Sequence, residues 1–152
     1  MELDEDLKFE INASGNFIRI TPIHRIIYFS DLDWDKNVIN TRIEVKAGGF
    51  IGSYETDLTT FDFKNLKEDL SKLYNNLNEK IIFNDLEGYL QLIFEGDNTG
   101  NFTIQITCID QPGIYSAKLK YEMLFDQTYI KPLIKILDDI LKQYPIVGDN
   151  KD

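Results

Sequence analysis

Ile39-Asn40-Thr41-Arg42-Ile43-Glu44-Val45-Lys46-Ala47-Gly48-Gly49-Phe50 is the stretch on which the fold turns. Ile39, Thr41, Ile43 and Val45 recur at every second residue, the period of a strand with one buried face. Ala47-Gly48-Gly49 then offers residues free to take positive φ, as a tight hairpin requires. Phe50 to Leu58 is the return strand. Working outward toward the N-terminus, Phe9 and Ile11 point one way, Asn12 to Asn16 turn, and Phe17, Ile18 and Ile20 resume. Pro22 interrupts, Ile23 to Phe29 is again rich in β-formers, and Ser30 to Asn37 reads as a polar loop.

Toward the C-terminus the period changes at Asp62. Phe63, Leu66, Leu70, Leu73, Tyr74 and Leu77 recur at spacings of three and four, which predicts a helix near 62–78. Either Asp62 or Asn65 suits its cap, Asn65 with Glu68 having capping-box spacing. Gly88 to Glu95 alternates, Gly96 to Gly100 is a hairpin loop, and Phe102, Ile104, Ile106 and Cys108 line one strand face. Gln111-Pro112-Gly113 turns, Ile114 to Phe125 is a further strand, and a second helix is predicted near 131–143. Pro132 belongs in its first turn and Pro145 stops it. The order is strands, helix, three strands, helix. That predicts an α+β fold: an antiparallel β-sheet system, sandwich-like or strongly twisted, with two principal α-helices. One domain is expected over 1–152, with 1–8 and 148–152 mobile.

Composition narrows the function. Lys and Arg number 16 against 26 Asp and Glu, a formal net charge of −10. Nucleic-acid phosphates and anionic membranes are poor partners for such a chain, and basic proteins are good ones, unless the acidity serves solubility alone. The start, Met1-Glu2-Leu3-Asp4-Glu5-Asp6, is acidic and broken, unlike a secretory signal, and no apolar run is long enough for a membrane span. The cytoplasm is the expected compartment. Cys108 is the only cysteine, which excludes an internal disulfide and a cysteine-based zinc site.

No catalytic centre is expected. His24, the only histidine, has no companion cysteine nearby, no Gly-x-Ser-x-Gly elbow and no His-Glu-x-x-His around it. Asp31, Asp33 and Asp35 have the spacing that opens a calcium loop. Lys36 and Arg42 then occupy the places of its glycine and its bidentate glutamate, so no metal and no cofactor are expected. The alternatives are a solvated loop or an acidic recognition loop, in which Trp34 is either a core residue or an interface anchor. A second acidic candidate is Glu95 with Asp97. It lies in a stretch without Lys or Arg between Lys80 and Lys118 that also holds Asp85, Glu87 and Asp110. The candidate partner-binding residues are therefore Asp31, Asp33, Trp34, Asp35, Glu95 and Asp97.

Phe125-Asp126-Gln127-Thr128-Tyr129-Ile130, followed by Leu133, Leu137, Leu141 and Pro145, resembles the end of the WapI-like immunity proteins of bacterial polymorphic toxin systems. Asp33-Trp34-Asp35, the strand pair around Lys46 to Phe50, the helix with Leu66, Leu70, Leu73 and Tyr74, and the strand from Glu87 to Phe94 extend the resemblance to roughly residues 30 to 145. It implies a cytoplasmic protein, made beside a toxin gene, that binds its cognate toxin and blocks it, nucleases being among such toxins. The residues alone leave open an acidic protein-binding or scaffold domain of unrelated role, or a small-ligand-binding domain. Asp126 as a cap and Tyr129 packing beneath it are the roles the shared motif suggests.

Overall fold

A computed structural model describes residues 7–26, 33–113 and 115–148 of the chain. Eight strands form two antiparallel four-stranded sheets, each in sequence order. The N-terminal sheet is β1 (Phe9–Ala13), β2 (Asn16–Arg25), β3 (Val38–Ala47) and β4 (Phe50–Thr59). The C-terminal sheet is β5 (Lys80–Asn84), β6 (Leu90–Gly96), β7 (Asn101–Ile109) and β8 (Lys118–Asp126). A short helix, α1 (Asp33–Lys36), precedes β3; α2 (Thr60–Asn75) joins the sheets; and α3 (Ile130–Gln143) follows β8.

The period-two reading of residues 39–58 holds. Ile39, Thr41, Ile43 and Val45 are buried, and β3 pairs with β4 without a break from Val38↔Thr59 to Ala47↔Phe50. Gly48 takes φ 62° in the turn. The buried side chains of both sheets and both long helices join in one cluster; Leu70, Leu73, Ile130, Leu137 and Ile140 are the fully buried residues that the helix pair shares with it.

Five expectations change. The last strand begins at Lys118 rather than Ile114, with residues 115–117 outside it. β2 runs through Pro22 to Arg25, because a register shift between Pro22 and His24 accommodates a residue with no N–H to donate. The polar loop contains the single turn of α1. The first long helix begins at Thr60, capped by Thr59 rather than Asp62 or Asn65: Asp62 N–H donates to Thr59 Oγ1 at 3.1 Å, and Thr59 N–H donates to Asp62 Oδ2 at 2.8 Å. It ends at Asn75, which leaves room for β5. That strand is not evident from the sequence because Ile81, Ile82 and Phe83 are consecutive apolar residues; only their burial, in-out-in, shows the alternation.

Tyrosine hydroxyls tie distant segments together. Tyr54 of β4 donates to Tyr89 O at 2.8 Å, Tyr121 of β8 to Phe17 O at 2.6 Å, Tyr129 to Asn12 O at 3.0 Å and Tyr144 to Ile23 O at 3.0 Å. A backbone carbonyl has two lone pairs, so each can take such a bond beside its partner in the sheet. The Tyr121 tie runs directly from one sheet to the other, and the Tyr54 tie runs from β4 to the turn between β5 and β6.

Candidate partner-binding surface

Of the first acidic candidate, Asp31 lies outside the described residues, as do the side chains of Asp33 and Trp34, whose backbone begins α1. Asp35 is half-buried on the same turn. Residues 38–42, which a calcium loop opened at Asp31 would need, are extended in β3. Asn37, just after α1, is fully buried. Its side-chain carbonyl accepts from Val147 N at 2.9 Å and its amide donates to Val147 O at 3.0 Å. Arg25 donates to Lys36 O at 2.8 Å and to Pro145 O at 2.5 Å. Thr60 N, opening α2, donates to Asn37 O at 2.9 Å. The α1 turn is thereby fastened both to the start of α2 and to the segment after α3.

The second candidate sits at the other end of α2. Gly96 N donates to Glu79 O at 3.2 Å and Asn98 N to Leu77 O at 3.4 Å, just past the helix C-terminus. A helix of 16 residues spans about 24 Å. The structure therefore does not bring the two acidic candidates together. Glu95 is exposed and stands opposite Lys80 across β5 and β6, so folding places a lysine beside it that local sequence did not show. Asp97 is exposed, but its Oδ1 accepts from Thr99 N at 2.8 Å, Thr99 Oγ1 at 2.6 Å and Asn101 N at 3.2 Å. The bonds from Thr99 hold this carboxyl below its ordinary range.

Two further carboxylates of the lysine-free stretch also build turns. Asp110 accepts from Ala117 N at 3.1 Å and closes the β7–β8 connection. Asp85 is buried, accepting from Leu90 N at 2.8 Å and Glu87 N at 3.1 Å. Asp62 is buried beside it and accepts from Leu86 N at 3.1 Å. Burial, opposed by the bonds from Thr59 and reinforced by the charge of Asp85, pushes the Asp62 carboxyl up to about 6. Burial also raises Asp85. This pair carried no motif in the sequence; only the meeting of the α2 cap with the β5–β6 turn creates it.

Elsewhere the acidity is answered locally. On the outer face of the N-terminal sheet, Arg19 pairs with Glu10 at 3.0 Å and Glu44 at 3.4 Å, and its guanidinium lies 4.4 Å from the centre of the Phe17 ring. Asp138 accepts from Lys67 at 2.9 Å and Asp139 from Lys135 at 2.7 Å. Exposed apolar side chains mark a different region. Phe50 and Ile51 at the start of β4 are 70% and 78% exposed. They border an open crevice of about 260 Å³ whose lining includes Tyr54, Cys108, Leu119 and Asp110. The Cys108 thiol is buried there and pushed up to about 11 by that burial, so it behaves as an apolar group. Among the described residues no cluster of three His, Cys, Asp or Glu side chains is placed to hold a metal, and no helix is long and apolar enough to cross a membrane.

Two packed four-stranded antiparallel sheets with two long helices define the class of protein by fold. WHY1 from Arabidopsis thaliana has a similar structure, with a TM-score of 0.52 and 14% identity, covering 96% of this chain and 88% of that one. MRP1/MRP2 from trypanosoma bruciei is similar with a TM-score of 0.50 and 13% identity, covering 92% and 86%. So is a guideRNA-binding protein complex bound to a gRNA, with a TM-score of 0.50 and 14% identity, covering 91% and 92%. At these identities the likeness is one of fold. Sequence supplies the closer assignment: the chain belongs to the immunity protein WapI-like family, whose model matches residues 8–145. Over 96 residues, 63% of the chain, it is also 35% identical to one subunit of the ATP-dependent helicase/nuclease of Clostridium botulinum (strain Alaska E43 / Type E3), and it spans 7% of that protein's length.

Proposed function

We propose that this chain is a non-enzymatic immunity protein, a single cytoplasmic domain that binds a cognate toxin domain and holds it inactive. Membership of the immunity family over residues 8–145 is the observation that carries the reading. The excess of 26 acidic over 16 basic residues supports a basic toxin, with a nuclease the fitting kind, since carboxylates take the place that phosphates occupy on such a surface. Long-range attraction raises the encounter rate, while the packed centre of the interface governs dissociation.

The fold likeness to a gRNA-bound complex favours a second reading, nucleic-acid binding. The net charge of −10 opposes it, because binding to phosphates draws on Lys and Arg. A mobility-shift titration with single-stranded RNA and DNA at low salt separates the two: the immunity reading expects no shift.

Co-expression with the toxin domain encoded beside this gene tests the proposal directly. Growth should be rescued and the two purified proteins should form a stable complex. Association should slow as salt rises, because exposed charges are screened over about 8–10 Å at physiological ionic strength, while dissociation changes less. Reversing Asp33 and Asp35 to Lys tests the α1 end, and reversing Glu95 and Asp97 tests the β6–β7 hairpin. The immunity role is refuted if growth is not rescued and no complex forms.

A further inference from the structure

Four strands end the two sheets, and their edges differ. β1 and β5 have five residues each; β1 lies against β8, and β5 is packed by α2. β8 carries Lys118, Lys120 and Glu122 and meets β1. β4 has ten residues, an unbroken register with β3 and, among the described residues, no strand on its other side. It contains no proline, lysine or arginine. A long regular edge offers a row of unpaired N–H and C=O groups, and proteins usually blunt it with short length, proline, lysine or a bulge. β4 has none of these, and the charged side chains it does carry, Glu55 and Asp57, are acidic. In a two-residue hairpin the residues flanking the turn, here Ala47 and Phe50, exchange both hydrogen bonds. The alternate residues Ile51, Ser53, Glu55 and Asp57 therefore direct their backbone groups away from β3.

We infer that the outer edge of β4 is the toxin-docking site, and that it receives an extended, basic segment of the toxin as a fifth strand of the N-terminal sheet. The inference rests on the immunity reading above. Main-chain hydrogen bonds along the edge supply affinity in this mode, and alternate side chains supply specificity. Charge complementarity names the occupant. Glu55 is exposed and Asp57 half-buried on the outward face of β4, and Arg42 stands 4.0 Å from Glu55, a weak pairing at the surface. Glu87 is exposed in the turn that joins β5 to β6, and the Tyr54 hydroxyl of β4 ties that turn down through Tyr89 O. Phe50 and Ile51 add an apolar anchor at the other end of the strand, of the kind that dominates binding energy.

The test uses the full chain and the toxin domain encoded beside its gene. Hydrogen–deuterium exchange should show the amides of Ile51, Ser53, Glu55 and Asp57 slowed about tenfold or more in the complex. The Glu55→Lys/Asp57→Lys variant should associate about tenfold more slowly with its melting temperature kept within a few degrees. Should that variant misfold, Ser53→Pro removes one outward donor from an edge that tolerates proline, and it should weaken binding about tenfold. A tight complex with unchanged exchange along β4 and unchanged binding by the variants would overturn the docking site and leave the immunity role standing. No complex and no growth rescue would remove both. Protection of the same amides in the chain alone, with a dimer mass by light scattering, would overturn the inference in favour of pairing with a second copy.

Discussion

The two ends of α2 are built from opposite chemistry. At its N-terminus Thr59, Asp62, Asp85 and the Leu86 N–H form a buried knot, in which carboxylates accept the N–H groups that open the helix and close the β5–β6 turn. At its C-terminus Leu77 and Glu79 meet Gly96 and Asn98 through backbone bonds alone, and the nearby carboxylates, Glu95 and Asp97, stand in solvent. The first end turns charge inward, where it serves the fold and resists ionisation. The second keeps charge where it is screened but available. A count of carboxylates is therefore no count of recognition groups: Asp62, Asp85 and Asp110 answer backbone N–H groups, whereas Glu55, Glu87 and Glu95 face solvent.

Both ends depend on the packing of α2 against α3. Leu70 and Leu137 are fully buried in the α2–α3 pair, so replacing either with Ala should cost about 2–5 kcal/mol in chemical denaturation. A neutral effect would mean that the helix pair does not hold the two ends together. Next comes the C-terminal end alone. A Cβ at Gly96 would lie 1.9 Å from Leu77 O, a backbone atom that cannot swing aside. Gly96→Ala should therefore cost about 3 kcal/mol. Gly49→Ala, where a Cβ would meet nothing within 4 Å, is the near-neutral control.

The N-terminal end should answer to pH. Asp62 has a carboxyl raised from 3.8 to about 6, so the folded state binds the extra proton between those values. The contribution of this group to stability is full below about pH 4 and is lost as pH rises through about 6. Its size is on the order of 2–3 kcal/mol. Stability curves for the wild type and Asp62→Asn should diverge across that window, with the wild type gaining on acidification; parallel curves would show that Asp62 does not titrate there. The smallest effect is expected at the exposed end. Glu95→Lys should change stability by less than about 0.5 kcal/mol, since exposed charges away from buried networks contribute little. A larger loss would mean that Glu95 and the facing Lys80 form a structural pair.

Legibility in the sequence follows the range of the interaction. The hairpin at Gly48-Gly49, the buried row from Ile39 to Val45 and the loop from Gly96 to Gly100 are readable because each depends on neighbours a few residues away. The cap at Thr59 is local too, but it is hidden because Thr59 sits on β4 and its role shows only once strand and helix are seen to abut. Asp126 acts as the cap its motif suggests, accepting from Thr128 N at 2.9 Å. Tyr129 does more than pack, since its hydroxyl reaches β1. The candidate surfaces are the least readable. Lys80 faces Glu95 from 15 positions away, and no local window shows that the acidic stretch has a cation beside it.

By itself, then, the sequence determined the α+β class, the inward faces of most strands and both long helices, and the acidic balance of the whole chain. Alternation and three-to-four spacing fix which side chains must leave water, and that requirement is met residue by residue. Tertiary packing sets the division of the strands into two sheets and which carboxylates are walled in with backbone donors, and it leaves the outer edge of β4 with no described strand paired to it. Those outcomes depend on which strands become neighbours, and strand order is set by long-range packing that a period of two leaves open.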